Sequence, residues 1–176
     1  MNIAVFGTGI VGQVIASRLS GLGHQVIIGT REPKKTLARK DKDGMGNPPF
    51  PEWYEQHKRS VNLATFSEAA AGSAIIFNCT QGGASVDVLK EAGEKNLEGK
   101  ILVDVANPLD FSKGMPPTLS PVNTDSLGEL LQRTFPGLKV VKTLNTMNCL
   151  LMVNPASLAG DHQVFVCGND KMAKET

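Results

Sequence analysis

The sequence predicts an α/β domain whose sheet is mainly parallel and doubly wound, with helices on both faces. Short strand-like apolar runs alternate with helical patterns along the chain, as parallel strands joined by crossover helices require. A glycine-rich turn joins the first run directly to the first helix. A length of 176 residues with 41% apolar content suits one domain with a sizeable core, so residues 1–176 are read as a single unit.

Residues 3–6 form the first strand. Residues 10–22 form a helix because Val11, Val14, Ile15 and Leu19 fall on roughly one face, and Gly23 stops it. Residues 26–28 are the second strand, and Pro33 opens a second helix where proline is well tolerated. From 43 to 51 the pattern dissolves into DGMGNPPFP, after which 52–59 reads as a short helix. This insertion near 43–59 exceeds the roughly 2–6 residues of an ordinary connection, which suits a lid, a partner surface or an ornamental loop. Residues 61–64, 74–78, 101–105 and 139–144 supply the third to sixth strands, with a helix at 86–95. A connection with four prolines follows Asn107, and the S-x-x-E spacing of Ser126 and Glu129 marks a capping box on the next helix, which ends before Pro136. Residues 163–167 make a seventh strand, and a helix begins at Asn169 or Asp170. Its seven or so residues are marginal alone, so the natural chain is expected to run past 176.

Composition excludes several function classes. Eighteen Lys and Arg against 17 Asp and Glu leave a formal charge of +1, which gives no general attraction to nucleic acid or to an anionic membrane. No apolar run approaches the ~18 residues of a membrane span. The apolar start has no Lys or Arg before it and holds glycines at fixed spacing, so it reads as strand and turn rather than as a leader. Cys79, Cys149 and Cys167 are odd in number and far apart, as reduced thiols of a cytoplasmic protein are. His24, His57 and His162 lack ligand spacing, and no structural metal is expected.

The strongest chemical signal is Gly7-Thr8-Gly9-Ile10-Val11-Gly12. A lone GxGxxG is weak, but here it follows a buried strand and opens an amphipathic helix. Gly7 permits the tight turn, Gly9 lets the backbone approach a pyrophosphate, and Gly12 lets the helix pack closely. The helix start then offers unpaired N–H groups and a positive dipole end to phosphates. This is the dinucleotide-binding pattern of a Rossmann-type domain. NAD-binding versions carry Asp or Glu at the end of the second strand, whereas this chain reads Gly29-Thr30-Arg31 there. A guanidinium binds a 2′-phosphate through paired hydrogen bonds, and Thr30 adds a hydroxyl, so NADP(H) is the expected cofactor. Lys35 is a second expected contact. The other nearby cations, Lys34, Arg39, Lys40 and Lys42, read mainly as a solvated face.

Ligands of an open parallel sheet lie beyond the carboxyl ends of the strands. Those ends carry Asn78-Cys79-Thr80, Ala106-Asn107-Pro108 and Asn145-Thr146-Met147. Cys79, Thr80, Ala106, Asn107 and Asn145 are therefore candidate cofactor contacts, and Met147 is placed to pack against the nicotinamide. Turn capping is the competing explanation for the Asn and Thr residues. No GxSxG elbow, HExxH or GxxxxGK[ST] occurs, and no catalytic residue is assigned. That absence suits hydride transfer, which needs stacking and orientation while the cofactor carries the chemistry.

The motifs GTGIVG at 7–12, GTR at 29–31, ANP at 106–108, LNTMN at 144–148 and VCGND at 166–170 give the chain a resemblance to a known family. It resembles the NADPH-dependent reductases that exchange hydride with the 8-hydroxy-5-deazaflavin coenzyme. More distantly it is similar to the N-terminal domains of pyrroline-5-carboxylate reductase and some ferric reductases. The resemblance spans nearly the whole chain outside the insertion. It implies that Thr8, Thr30, Arg31 and Lys35 contact NADP phosphates and that the fourth strand end and LNTM flank the nicotinamide. It also implies a deazaflavin or similar small-molecule acceptor and a homodimer. Asn145 stands where the deazaflavin enzymes have histidine. A non-catalytic NADP(H)-binding sensor and a reductase for an imine, flavin or ferric acceptor are the alternative readings.

Overall fold

The computed structural model describes residues 1–43 and 46–176; residues 44–45 of the predicted insertion loop lie outside the described residues. The strands are β1 (Asn2–Phe6), β2 (Gln25–Thr30), β3 (Val61–Thr65), β4 (Ile75–Asn78), β5 (Ile101–Asp104), β6 (Leu109–Asp110), β7 (Thr118–Leu119), β8 (Lys139–Thr143) and β9 (Val166–Cys167). The helices are α1 (Ile10–Gly21), α2 (Pro33–Leu37), α3 (Phe50–His57), α4 (Phe66–Ala71), α5 (Ser85–Ala92), α6 (Glu94–Leu97), α7 (Leu127–Thr134), α8 (Cys149–Val153) and α9 (Lys171–Glu175).

Seven strands form one sheet in the order β3-β2-β1-β4-β5-β8-β9, and β6 pairs with β7 in a separate small ribbon. All main-sheet pairings are parallel except β8 with β9. Ile3 lies opposite both Val26 and Ile75, so β1 is the centre from which the chain winds outward in both directions. Successive side chains of a strand point to opposite faces. Ala4 and Phe6 accordingly join the core beneath α4, α5, α6 and α7, while Val5 joins the core beneath α1, α3 and α8. A strand buried on both sides has to be apolar throughout, which is what IAVF is. The switch point between β1 and β4 opens a crevice at the carboxyl ends of the strands.

Several predicted elements differ in detail. The seventh strand is two residues long and antiparallel, because α8, the sole α-helix between β8 and β9, packs against α1 instead of crossing the sheet edge. The helix read at 86–95 is two helices, broken where Gly93 takes a φ of +88°. Helix α3 starts two residues earlier than predicted and is no ornament. Phe50 is buried with Val5, Ile28 and Val61, and its ring stacks on Tyr54 at 5.6 Å. The insertion therefore covers one face of the sheet. Ser126 caps α7 through the Glu129 amide at 3.2 Å, but the Glu129 carboxylate returns to the Ser126 hydroxyl and not to the backbone. A full capping box does exist at Thr65 and Glu68, opening α4, a helix that the periodicity did not disclose. Hydrogen bonds from Thr65 hold the Glu68 carboxyl below the usual range.

Candidate cofactor groove and reaction site

The phosphate-binding turn is built by close packing. Gly7 adopts a φ of +114°, and a Cβ there would stand 2.7 Å from the Cys79 carbonyl oxygen. A Cβ on Gly12 would stand 2.2 Å from the Gly7 oxygen, so the helix can sit on the turn only with glycine at that position. Gly9 differs, because a Cβ there would meet nothing within 4 Å. The protein leaves that side open, as an approaching pyrophosphate requires. Gly7 N–H donates to Gly29 O at 3.2 Å, and Gln13 Nε2 donates to Thr8 O at 2.9 Å. No side chain caps the first turn of α1, so the N–H groups of Ile10, Val11 and Gly12 remain available to an anion. Ile10 is exposed at the mouth, and Val11 packs into the core behind it. Gly29 of the GTR motif has a packing role of its own, since a Cβ there would meet the Phe6 ring at 2.8 Å.

The end of β2 presents cations to solvent. Arg31 Nε donates to Glu91 Oε1 of α5 at 2.7 Å, and Lys35 Nζ pairs with Glu32 at 3.2 Å. Thr30 is buried and its hydroxyl shares a 2.8 Å hydrogen bond with Thr36, so it braces the turn from below.

At the other side of the crevice, three strands meet in a buried polar network. The Asp104 side chain is fully buried at the end of β5. Its Oδ1 accepts from Asn78 Nδ2 at 2.8 Å and from the Ala106 N–H at 3.2 Å. Its Oδ2 accepts from Lys142 Nζ of β8 at 2.9 Å, and the same ammonium donates to Ala106 O. Asn78 Nδ2 also donates to Ser85 Oγ at 2.9 Å, and Asn78 Oδ1 accepts from Thr80 Oγ1 at 2.7 Å. Every partner of the buried carboxylate is thus a donor, the condition under which a buried charge is tolerated. Cys79 is half-buried and packs against the core behind the turn; desolvation, and secondarily the nearby Asp104, push its thiol up, away from reactive thiolate character.

The loops above this network lock together. Asn107 Nδ2 donates to Asn145 O at 2.8 Å, and Asn145 Nδ2 donates back to Asn107 Oδ1 at 3.1 Å. Leu144, just before, takes the left-handed φ of 63°, and the turn closes with Met147 N–H on Leu144 O at 3.4 Å. Gly82 fits against the Asn107–Pro108 peptide, where a Cβ would lie 2.4 Å from Pro108 N. Asn107, Lys142 and Asn145 border a cavity of about 500 Å³ that runs under Leu119 and Val122 towards α7.

The predicted residues thus fall into two groups along one crevice. Gly7, Thr8, Gly9, Ile10, Val11 and Gly12 form the phosphate turn, with Thr30, Arg31 and Lys35 at and beyond the end of the adjacent β2, while Cys79, Thr80, Ala106, Asn107, Asn145 and Met147 follow the ends of β4, β5 and β8. Sequence reasoning missed Lys142, Ser85 and the partnership of Arg31 with Glu91, and gave Asp104 a structural part without its donors. An acid in the apolar run ILVDVA was the one available signal, because such an acid demands a buried donor.

Fold and groove together define a Rossmann-type dinucleotide-binding domain with cations where its second strand ends. Residues 2–108 match the model of the family described as NADP oxidoreductase, coenzyme F420-dependent, and the chain belongs to that family. A crystal structure from Arthrobacter sp. FB24, proposed to be an F420-dependent NADP-reductase, is 60% identical with a TM-score of 0.92; the match covers 99% of this chain and 76% of that one. Metalloreductase STEAP3 of Rattus norvegicus is 29% identical over 176 residues, and the chain spans 30% of the length of that curated relative. Plasmodium falciparum pyrroline carboxylate reductase with NADP bound shares the fold at 15% identity, with a TM-score of 0.56 over 99% of this chain and 52% of that one.

Among the described residues no three His, Cys, Asp or Glu side chains gather as a metal site would. No helix among them is long and apolar enough to cross a membrane.

Proposed function

We propose that NADPH lies across the strand ends with its pyrophosphate on the Gly9 side of α1 and its 2′-phosphate beside Arg31, and that hydride passes to a deazaflavin-like small acceptor. When bound, NADPH supplies the hydride; the chain's own residues bind, orient and shield. The observation that carries this reading is the reciprocal Asn107–Asn145 pair, which lines a cavity of about 500 Å³ at the ends of β5 and β8 with fixed polar groups. A flat ring seated against that lining is oriented by amide hydrogen bonds without a titrating residue, which is what direct hydride transfer asks of a protein. Solvent reaching the crevice would supply the proton that balances reduction of the acceptor by the cofactor's hydride.

The test is to mix protein and NADPH with a deazaflavin, a flavin, a ferric chelate or a cyclic imine, and to follow loss of the NADPH absorbance. Turnover with the deazaflavin supports the proposal. Turnover confined to flavin, ferric chelate or imine replaces the acceptor and keeps the NADPH half. Binding of NADPH without oxidation by any of them favours the sensor reading. The cytoplasmic location and homodimer expected from the sequence belong to the same proposal, and light scattering of the purified protein checks the assembly.

A further inference from the structure

We infer that Arg39 is a second specificity-determining residue for the 2′-phosphate, acting beside Arg31. The inference rests on the NADP assignment and concerns a residue that the motif pattern passes over as part of a solvated face. Arg39 lies just beyond the end of α2, yet its Nη1 reaches back 31 residues to donate to Thr8 Oγ1 at 3.0 Å. It therefore stands over the second residue of the glycine turn. Its charge environment separates it from Arg31 and Lys35, and its hydrogen bond to the glycine turn separates it from Lys34, Lys40 and Lys42. Arg31 is already paired with Glu91, and Lys35 with Glu32. Among the described residues Arg39 has no carboxylate partner, and its hydrogen-bond acceptor is a neutral hydroxyl. A long exposed side chain gains little from one neutral hydrogen bond in water, whereas a phosphomonoester dianion accepts both from the guanidinium fork and from the threonine hydroxyl.

Position chooses the 2′-phosphate over the pyrophosphate. The pyrophosphate is expected at the α1 start from Gly9 onward, on the free backbone N–H groups, whereas Arg39 bonds the side chain of Thr8 just before them. Arg39 belongs instead to the connection after β2, the same segment that carries Thr30 and Arg31 at the adenosine end. Thr36, on the helix that leads to Arg39, is tied to Thr30 beneath them, so the two arginines spring from one braced turn.

The experiment is titration of the wild-type protein and of Arg39→Ala, Arg39→Lys and Lys35→Ala with NADPH, NADH and adenosine 2′,5′-bisphosphate. Arg39→Ala is expected to weaken NADPH and the bisphosphate about tenfold or more while NADH changes less than about twofold. Arg39→Lys recovers part of the loss, because an ammonium keeps the charge but not the fork. Lys35→Ala has a smaller effect than Arg39→Ala. Unchanged NADPH affinity in Arg39→Ala, or an equal loss for NADH, overturns the inference. Failure of the wild-type protein to bind either dinucleotide instead overturns the cofactor assignment, so the two failures are told apart. Arg39 is exposed, and an unchanged thermal transition confirms that the variants fold.

Discussion

The two ends of the crevice are made by opposite means. The adenosine end is local in sequence, drawn from residues 7–12 and 29–39, and its cations stand in solvent with the Arg31 side chain 60% exposed. The reaction end is drawn from β4, β5 and β8, up to 64 positions apart between Asn78 and Lys142, and its central Asp104 has no exposed surface. At the first end the charge lies at the surface, with Arg31 and Lys35 paired to exposed carboxylates and Arg39 bonded to a neutral hydroxyl. At the second, charge is already neutralised internally, and what reaches the ligand is rigid neutral amide. Recognition is therefore tunable by surface substitutions and by salt, while the reaction frame is a structural unit that fails as a whole.

Substitutions break this comparison in order of severity. Gly12→Val should have the largest effect, because the new side chain meets the Gly7 carbonyl oxygen at 2.2 Å and backbone has no rotamer to yield. NADPH binding should be lost in a titration, and thermal unfolding should shift down. Asp104→Ala follows. It strands the Lys142 ammonium and the Asn78 amide, and removing one member of a buried pair costs about 3–5 kcal/mol. Because Lys142 keeps 22% of its side chain exposed, the lower part of that range is expected in urea unfolding, with turnover lost more than NADPH affinity. Arg31→Ala should be the mildest. Loss of one charge-assisted contact is worth about 1.5–3 kcal/mol, and the exposure of Arg31 favours the low end, so NADPH weakens about tenfold with NADH spared. Added salt should shrink the Arg31 effect and leave the Asp104 effect in place; equal salt sensitivity of the two would erase the distinction.

The same contrast explains what could be read from the chain alone. The mainly parallel α/β sheet, the glycine turn and the cations after β2 rest on local pattern, and the structure has all three. Helix α4 was missed because FSEAAA is too short to show periodicity, although T-x-x-E at Thr65 and Glu68 marked its start. The packed role of Phe50 and the antiparallel β9 depend on tertiary neighbours that no local window contains. The Asp104 network was half visible, since a buried acid needs a donor, but only the register of β5 against β8, which sets Asp104 opposite Lys142, identifies which donor it is.

The Asn107–Asn145 clasp has one more consequence. Carboxamides neither gain nor lose protons across the range in which enzymes work, so the cavity lining they form keeps its shape and polarity from mild acid to mild base. A bend in the pH–rate profile would then report groups other than this clasp, the cofactor's 2′-phosphate and the bound acceptor among them.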